Sequence, residues 1–272
     1  NKNKLEQLII RSNLLGQDLK ITNFGGGNTS SKIISKDPIS KKNQTVLYVK
    51  GSGGDLGSIK KEGFASLYME KLESLKSVYR GFNYEDEIVG YYPMCTFNNN
   101  PRAASIDTPL HAYVPFPEVD HTHPDSIIAL ATMKNGKEII KKVYNNKIGW
   151  LDWQRPGFDL GLKMEKLIKK NTDIIGIILG HHGLFTWGDT SEECYKNSID
   201  IIKKAQVYLN NSIKKYSFGK PIFKKKTQPE FEKKLISIIR GNLSFDNSKI
   251  LHLDKSDTCL EFVNSENLKK VA

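Results

Sequence analysis

The stretch VDHTHPD, Val119 to Asp125, sets two histidines two residues apart between carboxylates and then closes the run with proline. On a β-strand, residues i and i+2 point to the same face. His121 and His123 would therefore aim at one point, about 7 Å apart at the backbone. Zinc binds imidazole nitrogen at roughly 2.0–2.1 Å, so one ion could be shared by both, yet a catalytic zinc usually takes three protein ligands. A third ligand, a working carboxylate and a grip for a substrate have to come from elsewhere in the chain.

The third ligand is expected in GHHG, 180–183. Asp173–Leu179 (DIIGIIL) reads as a buried strand from its β-branched content, and the turn after it can bring an imidazole to the HxH strand. Either His181 or His182 could serve. Residue parity alone does not choose between them, and the other is expected to be structural. His111 and His252 are both read as structural. The short LHAY helix gives His111 no partner at ligand spacing, and His252 alternates within a plain strand.

Two glycine-rich turns precede the histidines. FGGGNTS, Phe24–Ser30, follows the short β-type run LKIT, and GSGG, Gly51–Gly54, follows VLYVK. Neither is a P-loop, and FGGGNTS leads into SSKII, a strand and not the helix that a dinucleotide fingerprint needs. Together they offer free backbone N–H groups, an amide, hydroxyls and the Lys50 ammonium, the parts of a small anion-binding nest. A phosphate site is expected.

The remaining pattern organises the chain. Asn3–Leu15 reads as an amphipathic helix closed by Gly16, and apolar spacing over Phe64–Tyr79 predicts a second helix. A Pro/Asn-rich loop through 98–102 leads to a short helix from about Thr108, and Ser126–Met133 reads as helical. Thr190 with Glu193 forms a capping box for a long helix reaching about Lys215. FKKKTQPEFEKK reads as a basic linker into another helix, and ILHLD and CLEFV as a final pair of strands. Strands do not alternate regularly with helices, which disfavours an eightfold barrel or a doubly wound sheet. The expectation is α/β, a sheet with helices on both faces.

With 272 residues the chain can bury a sizeable core, and no stretch approaches the ~20 apolar residues of a membrane span. Its three cysteines, Cys95, Cys194 and Cys259, form no CxxC pair, which suits a reducing compartment, so a cytoplasmic location is expected. The formal charge of +11 comes almost wholly from lysine, with five arginines scattered along the chain. Without arginine clusters to grip phosphate and guanine, nucleic acid is not an expected partner. Neither is a membrane. The chain opens at Asn1 without methionine and stops abruptly at LKKVA, so a natural chain extending beyond Ala272 is expected.

GGGNTS, VKGSGGDL, ASIDTPLHAYVPF, VDHTHPD and IILGHHGLFTWGDTSEECY stand in the order found in the class II aldolase/adducin family. Over about residues 10–215 the chain most resembles the aldolase domain of bifunctional rhamnulose-1-phosphate aldolase/alcohol dehydrogenase proteins. The resemblance implies a three-layer α/β/α sandwich around a large mixed, mostly antiparallel sheet, with the aldolase domain over 1–217. Residues 218–272 would then be an extension or linker of a helix and short strands. It further implies a homotetramer, cleavage of a ketose 1-phosphate to dihydroxyacetone phosphate and an aldehyde, and zinc or sometimes manganese. A dehydrogenase domain follows such a region in the bifunctional relatives.

Carried onto this chain, the resemblance makes His121, His123 and His182 the metal ligands, with His181 standing where the family has asparagine. Gly27, Asn28, Thr29, Lys50, Ser52, Gly53 and Ser105 would hold the substrate phosphate. Many members have glutamate as acid/base where this chain has Asp107, one methylene shorter. Asp107 could also cap the helix beginning D-T-P. The implied chemistry is a metal acting as Lewis acid on the ketose carbonyl, holding the charge of an enediolate, with Asp107 exchanging its proton. An epimerase or dehydratase on the same metal site, a Schiff-base aldolase using Lys50, and an adducin-like binding module are the alternatives.

Overall fold

A computed structural model describes residues 3–23, 25–212, 218–222 and 229–271, in two compact units, Asn1–Asn210 and Asn211–Ala272. The first unit is built on a seven-stranded sheet. Its strands are β1 (Asn28–Lys36), β2 (Asn43–Lys50), β3 (Phe64–Tyr68), β4 (Glu118–Thr122), β5 (Ile148–Leu151), β6 (Gly176–Leu179) and β7 (Gly183–Gly188), in the order β3-β2-β1-β4-β7-β6-β5. Every neighbouring pair is antiparallel except β5 with β6. The strand carrying the first histidine is therefore the central one, paired with β1 on one side and β7 on the other.

Helices α1 (Lys4–Gly16), α2 (Met69–Val78), α3 (Glu85–Val89), α4 (Thr108–Ala112), α5 (Asp125–Ala131), α6 (Gly136–Val143), α7 (Phe158–Lys170) and α8 (Ser191–Ser212) cover the sheet. Strand alternation sorts the core into layers. Val119, Ile177, Leu179 and Phe185 pack with α4 and α7 on one face, while Ile178 and Leu184 pack with α5, α6 and α8 on the other. The result is an α/β/α sandwich with a mostly antiparallel sheet, as expected.

The same alternation turns Glu118 and Asp120 away from His121 and toward α1. There Arg11, 2 % exposed, donates from Nη1 to Glu118 Oε2 (2.6 Å), from Nε to Asp120 Oδ1 (2.8 Å) and from Nη2 to the Ser30 carbonyl (2.7 Å). One guanidinium thus ties α1 to two adjacent strands under the HxH segment. Replacing Arg11 by methionine leaves two buried carboxylates without their cation. Breaking a buried pair in this way costs about 3–5 kcal/mol, so a melting temperature lower by on the order of 10 °C is expected. Arg11→Lys should restore little, because an ammonium cannot make this fork. A thermal melt within 2 °C of wild type would remove the assignment.

Four expectations about elements change. Residues 19–22 form no strand. The backbone turns there, with the Ile21 and Thr22 amides both donating to the Asp18 carbonyl, and the apolar content is explained by burial of Ile21 in that turn. The helix expected over 64–79 begins at Met69. Phe64–Tyr68 instead pairs with β2, its first four residues buried on alternating faces. ILHLD has no regular structure, and CLEFV lies within helix α10 (Asp257–Val263), because Ser256 caps the Cys259 amide. Among its described residues the second unit accordingly holds helices α9 (Pro229–Leu243), α10 and α11 (Leu268–Val271) with a single bridge from Pro221 to Ser265, and not a pair of strands. The long helix α8 is described to Ser212. Its expected last turn to Lys215 and the basic run 223–228 lie outside the described residues, as does Phe24.

Candidate active site

The three imidazoles converge. His121 Nε2 lies 3.0 Å from His123 Nε2 and 3.2 Å from His182 Nε2, and the three ligand atoms fall within 4.8 Å of one another. His121 is fully buried, its ring stacked on Phe185 at 4.1 Å, and its Nδ1–H donates to the Leu184 carbonyl at 3.1 Å. That bond fixes the tautomer and leaves Nε2 as a lone pair. Burial, followed by the neighbouring imidazoles, holds His121 well below its ordinary value. Burial and His182 bring His123 down to about 4, and burial also lowers His182. Neutral imidazoles are the ligand form. Nitrogens at 2.0–2.1 Å from a tetrahedral zinc stand about 3.3–3.4 Å apart, close to the two spacings measured from His121. At most one neighbour can donate to the His121 lone pair, so a divalent cation fits this donor set better than hydrogen bonding does.

The GHHG turn settles which histidine of the doublet faces inward. His181 has φ +55°, a left-handed conformation that Asn, Asp and His adopt more readily than most residues. Its side chain is exposed, whereas His182 turns toward His121. Gly183 is required here, since a Cβ would stand 2.7 Å from His123 Cδ2 and 2.6 Å from the Thr122 carbonyl. Gly27 approaches the same strand from the other side: φ is +67° and a Cβ would meet the His121 carbonyl at 2.7 Å.

Asp107 precedes α4 but makes no capping bond, so the capping role does not hold. Its backbone is already helical (φ −77°, ψ −2°), and its carboxylate turns away from the helix start. Oδ2 accepts from Asn28 Nδ2 at 3.0 Å, while Oδ1 is buried with no hydrogen-bond partner among the described residues. A lone buried acceptor is costly, about 1–3 kcal/mol, and such atoms call for a functional explanation. Burial pushes the Asp107 carboxyl above its ordinary range, against the opposing pull of Asn28, His182 and Lys50. Lys50, 3 % exposed at the end of β2, has its own value lowered by burial and by Arg102.

Asn28 pairs in register with His121, and its amide also reaches Ser105 Oγ at 3.3 Å. Asn28, Ser105, Asp107 and Lys50 thus lie together beside the imidazoles. The Ser52–Gly54 loop is exposed, with φ of +68° at Gly53 and +88° at Gly54. It leans on this group through Ser52 N–H to the Ala103 carbonyl (3.3 Å) and through Arg102 Nη2 to the carbonyls of Ser52 and Gly53, both 2.5 Å. Thr29 is not brought in. Next to Asn28 on the strand, it points to the opposite face and shares a 2.7 Å hydrogen bond with Ser12 of α1, fully buried.

Two participants escaped the sequence reading. Arg102 braces the second glycine loop, and no motif marks it. His111 contacts Asn28 and Ser30, and its place four residues after Asp107 on a short helix was the available signal. His252 belongs to the second unit, exposed and outside the histidine cluster.

Comparison with known proteins agrees with this construction. Residues 7–209 match the family described as class II aldolase and adducin N-terminal domain. The chain is 38% identical over 267 residues to a Bacillus subtilis (strain 168) protein called uncharacterized oxidoreductase YuxG, covering 96% of this chain and 38% of that protein. It therefore spans well under half the length of this curated relative. The N-terminal class II aldolase domain of a conserved Thermoplasma acidophilum protein superposes with a TM-score of 0.70 at 30% identity, covering 77% of this chain and 95% of that one. A sugar-phosphate aldolase from Thermotoga maritima shares the fold, with a TM-score of 0.56 at 14% identity over 75% and 94% of the two chains. The histidine cluster, the carboxylate beside it and the sheet that carries both are thus those of a chain that belongs to the class II aldolase and adducin N-terminal domain family.

Proposed function

We propose that the chain is a metal-dependent aldolase that cleaves a ketose 1-phosphate of the rhamnulose-1-phosphate type to dihydroxyacetone phosphate and an aldehyde. The observation that carries the reading is a buried, donorless Asp107 oxygen beside three converging neutral imidazoles. A binding module would have no use for either. His121, His123 and His182 would hold zinc, with manganese second. A divalent ion there supplies Lewis acidity toward a carbonyl and its adjacent hydroxyl, stabilising the negative charge that develops on oxygen as a carbon–carbon bond breaks.

The chain's own groups do the rest. As C3–C4 breaks, the C4 hydroxyl gives its proton to the Asp107 carboxylate and becomes the aldehyde carbonyl, and the bonding electron pair stays on the dihydroxyacetone phosphate half. Asp107, whose carboxyl burial pushes above its ordinary range, then passes that proton to the carbon that was C3. Lys50, the Ser52 and Ser105 hydroxyls and the backbone N–H groups at Gly27 and Gly53 would fix the phosphate, orienting the substrate at a distance from the reacting bond. Assembly as a homotetramer, a cytoplasmic setting and cooperation with a dehydrogenase domain belong to the same proposal. The last is supported by the name of the Bacillus subtilis relative.

The test is zinc-loaded protein against a panel of ketose 1-phosphates that includes L-rhamnulose 1-phosphate, with dihydroxyacetone phosphate measured directly. Chelator-sensitive release from at least one of them is expected. Inversion of a sugar phosphate without cleavage would replace the reading with an epimerase, and loss of water with a dehydratase. Chelator-insensitive cleavage trapped by borohydride would move the chemistry to Lys50.

A further inference from the structure

His111 lies on α4, 0 % exposed, with its ring edge-on to Phe185 at 5.5 Å. Its Nδ1 stands 2.8 Å from Ser30 Oγ and its Nε2 3.0 Å from Asn28 Oδ1. Asn28 Oδ1 can only accept, so Nε2 carries hydrogen whatever the charge of the ring. With the imidazole neutral, Nδ1 accepts from the Ser30 hydroxyl. Among the described residues His111 is the sole side chain that donates to Asn28 Oδ1.

The other end of the Asn28 amide faces the site. Nδ2 donates to Asp107 Oδ2 at 3.0 Å and to Ser105 Oγ at 3.3 Å. The Asp107 backbone N–H also donates to Ser105 Oγ, at 3.2 Å. Ser105 Oγ thus receives two N–H groups, and its own hydrogen is left to be given outward. If the amide were turned over, Oδ1 would oppose the Asp107 carboxylate and Ser105 would have to spend its hydrogen on Asn28.

We infer that His111 is a positioning residue: by donating from Nε2 it locks the Asn28 amide with its NH2 toward Asp107 and Ser105. One buried imidazole thereby sets two polarities, the orientation of the Asp107 carboxylate and the outward donation of the Ser105 hydroxyl to an anionic oxygen. What the two groups then do rests on the aldolase reading. The locking of the amide does not.

The experiment reads the Asn28 side-chain NH2 in 1H–15N spectra of zinc-loaded protein, assigned by its disappearance in Asn28→Ser. Its exchange with solvent is compared across wild type, His111→Gln and His111→Leu. A glutamine amide nitrogen lies about where Nε2 lies, so His111→Gln should keep exchange slow, whereas His111→Leu should speed it at least tenfold. In step, kcat/KM for a cleaved ketose 1-phosphate should fall on the order of 10–100-fold in His111→Leu at unchanged metal content, and His111→Gln should regain most of it. Unchanged exchange in folded His111→Leu would overturn the inference, and so would equally fast exchange in both variants. Should His111→Leu fail to fold, His111→Phe, which keeps a ring there but has no N–H, replaces it. At least tenfold faster exchange is again expected, and unchanged exchange would overturn the inference equally. Absence of turnover by wild type would count against the proposed function alone, because the amide readout needs no substrate.

Discussion

Alanine in place of His121 should leave the protein with a small fraction of the roughly one divalent ion per chain expected of wild type, and with no measurable turnover. The ligand is fully buried on the central strand, so its loss removes a lone pair that no neighbouring side chain can replace. His123→Ala should behave alike, since its Nε2 approaches His121 as closely as His182 does. Two ligands hold zinc far more weakly than three plus water, and metal analysis after dialysis separates the states. The fold should survive in both variants. The metal-free ligands are already assembled by the β4 and β7 ladders and by the His121 bond to Leu184. Full metal occupancy after both substitutions would end the assignment.

The second large effect falls on Asp107. Asp107→Asn keeps the size of the side chain but cannot carry the proton. A lost general acid/base typically lowers rate by roughly 10²–10⁴-fold, while the melting temperature should move little, because Asp107 makes no capping bond. Metal content should be unchanged. In wild type the acid side of the kcat/KM profile should report this group. Burial raises its value, so the limb is expected above the ordinary carboxylate value of about 3.9, with activity lost as pH falls and the base becomes protonated. That limb should vanish in Asp107→Asn. Asp107→Glu should retain part of the activity, its carboxylate displaced by one methylene. A fully active Asp107→Asn protein would show that the proton is handled by another group.

The metal half of this site could be read from residue order, because a period of two on a strand is rigid enough to place His121 and His123 on one side. The doublet 181–182 could not be resolved in the same way. Its geometry depends on a left-handed residue at 181, and parity arguments assume extended backbone. Phe64–Tyr79 misled because a buried strand runs directly into a helix with no intervening turn residue, so Phe64 and Leu67 continue the helical spacing by coincidence. At 19–22 and 250–263 short apolar runs imitated strands, and what distinguished them was a turn closed by Asp18 and a cap at Ser256. His111 stayed hidden for another reason. Its partner Asn28 is 83 residues away, and the packing of α4 over β1 brings them together.

The exposed, left-handed His181 makes its position deceptive under mutation. A scan of surface residues would class it as free to vary, yet its backbone angle sets where the next imidazole points. Valine or isoleucine there would meet a penalty of roughly 1–2 kcal/mol for the left-handed conformation, relieved by swinging His182 out of line. Such a variant would fold and expose no new surface, yet it would behave as a metal-site mutant. Glycine, asparagine or aspartate would pass unnoticed. Tolerance at 181 is therefore governed by a torsion angle, and a residue that never touches the ion belongs to its coordination chemistry.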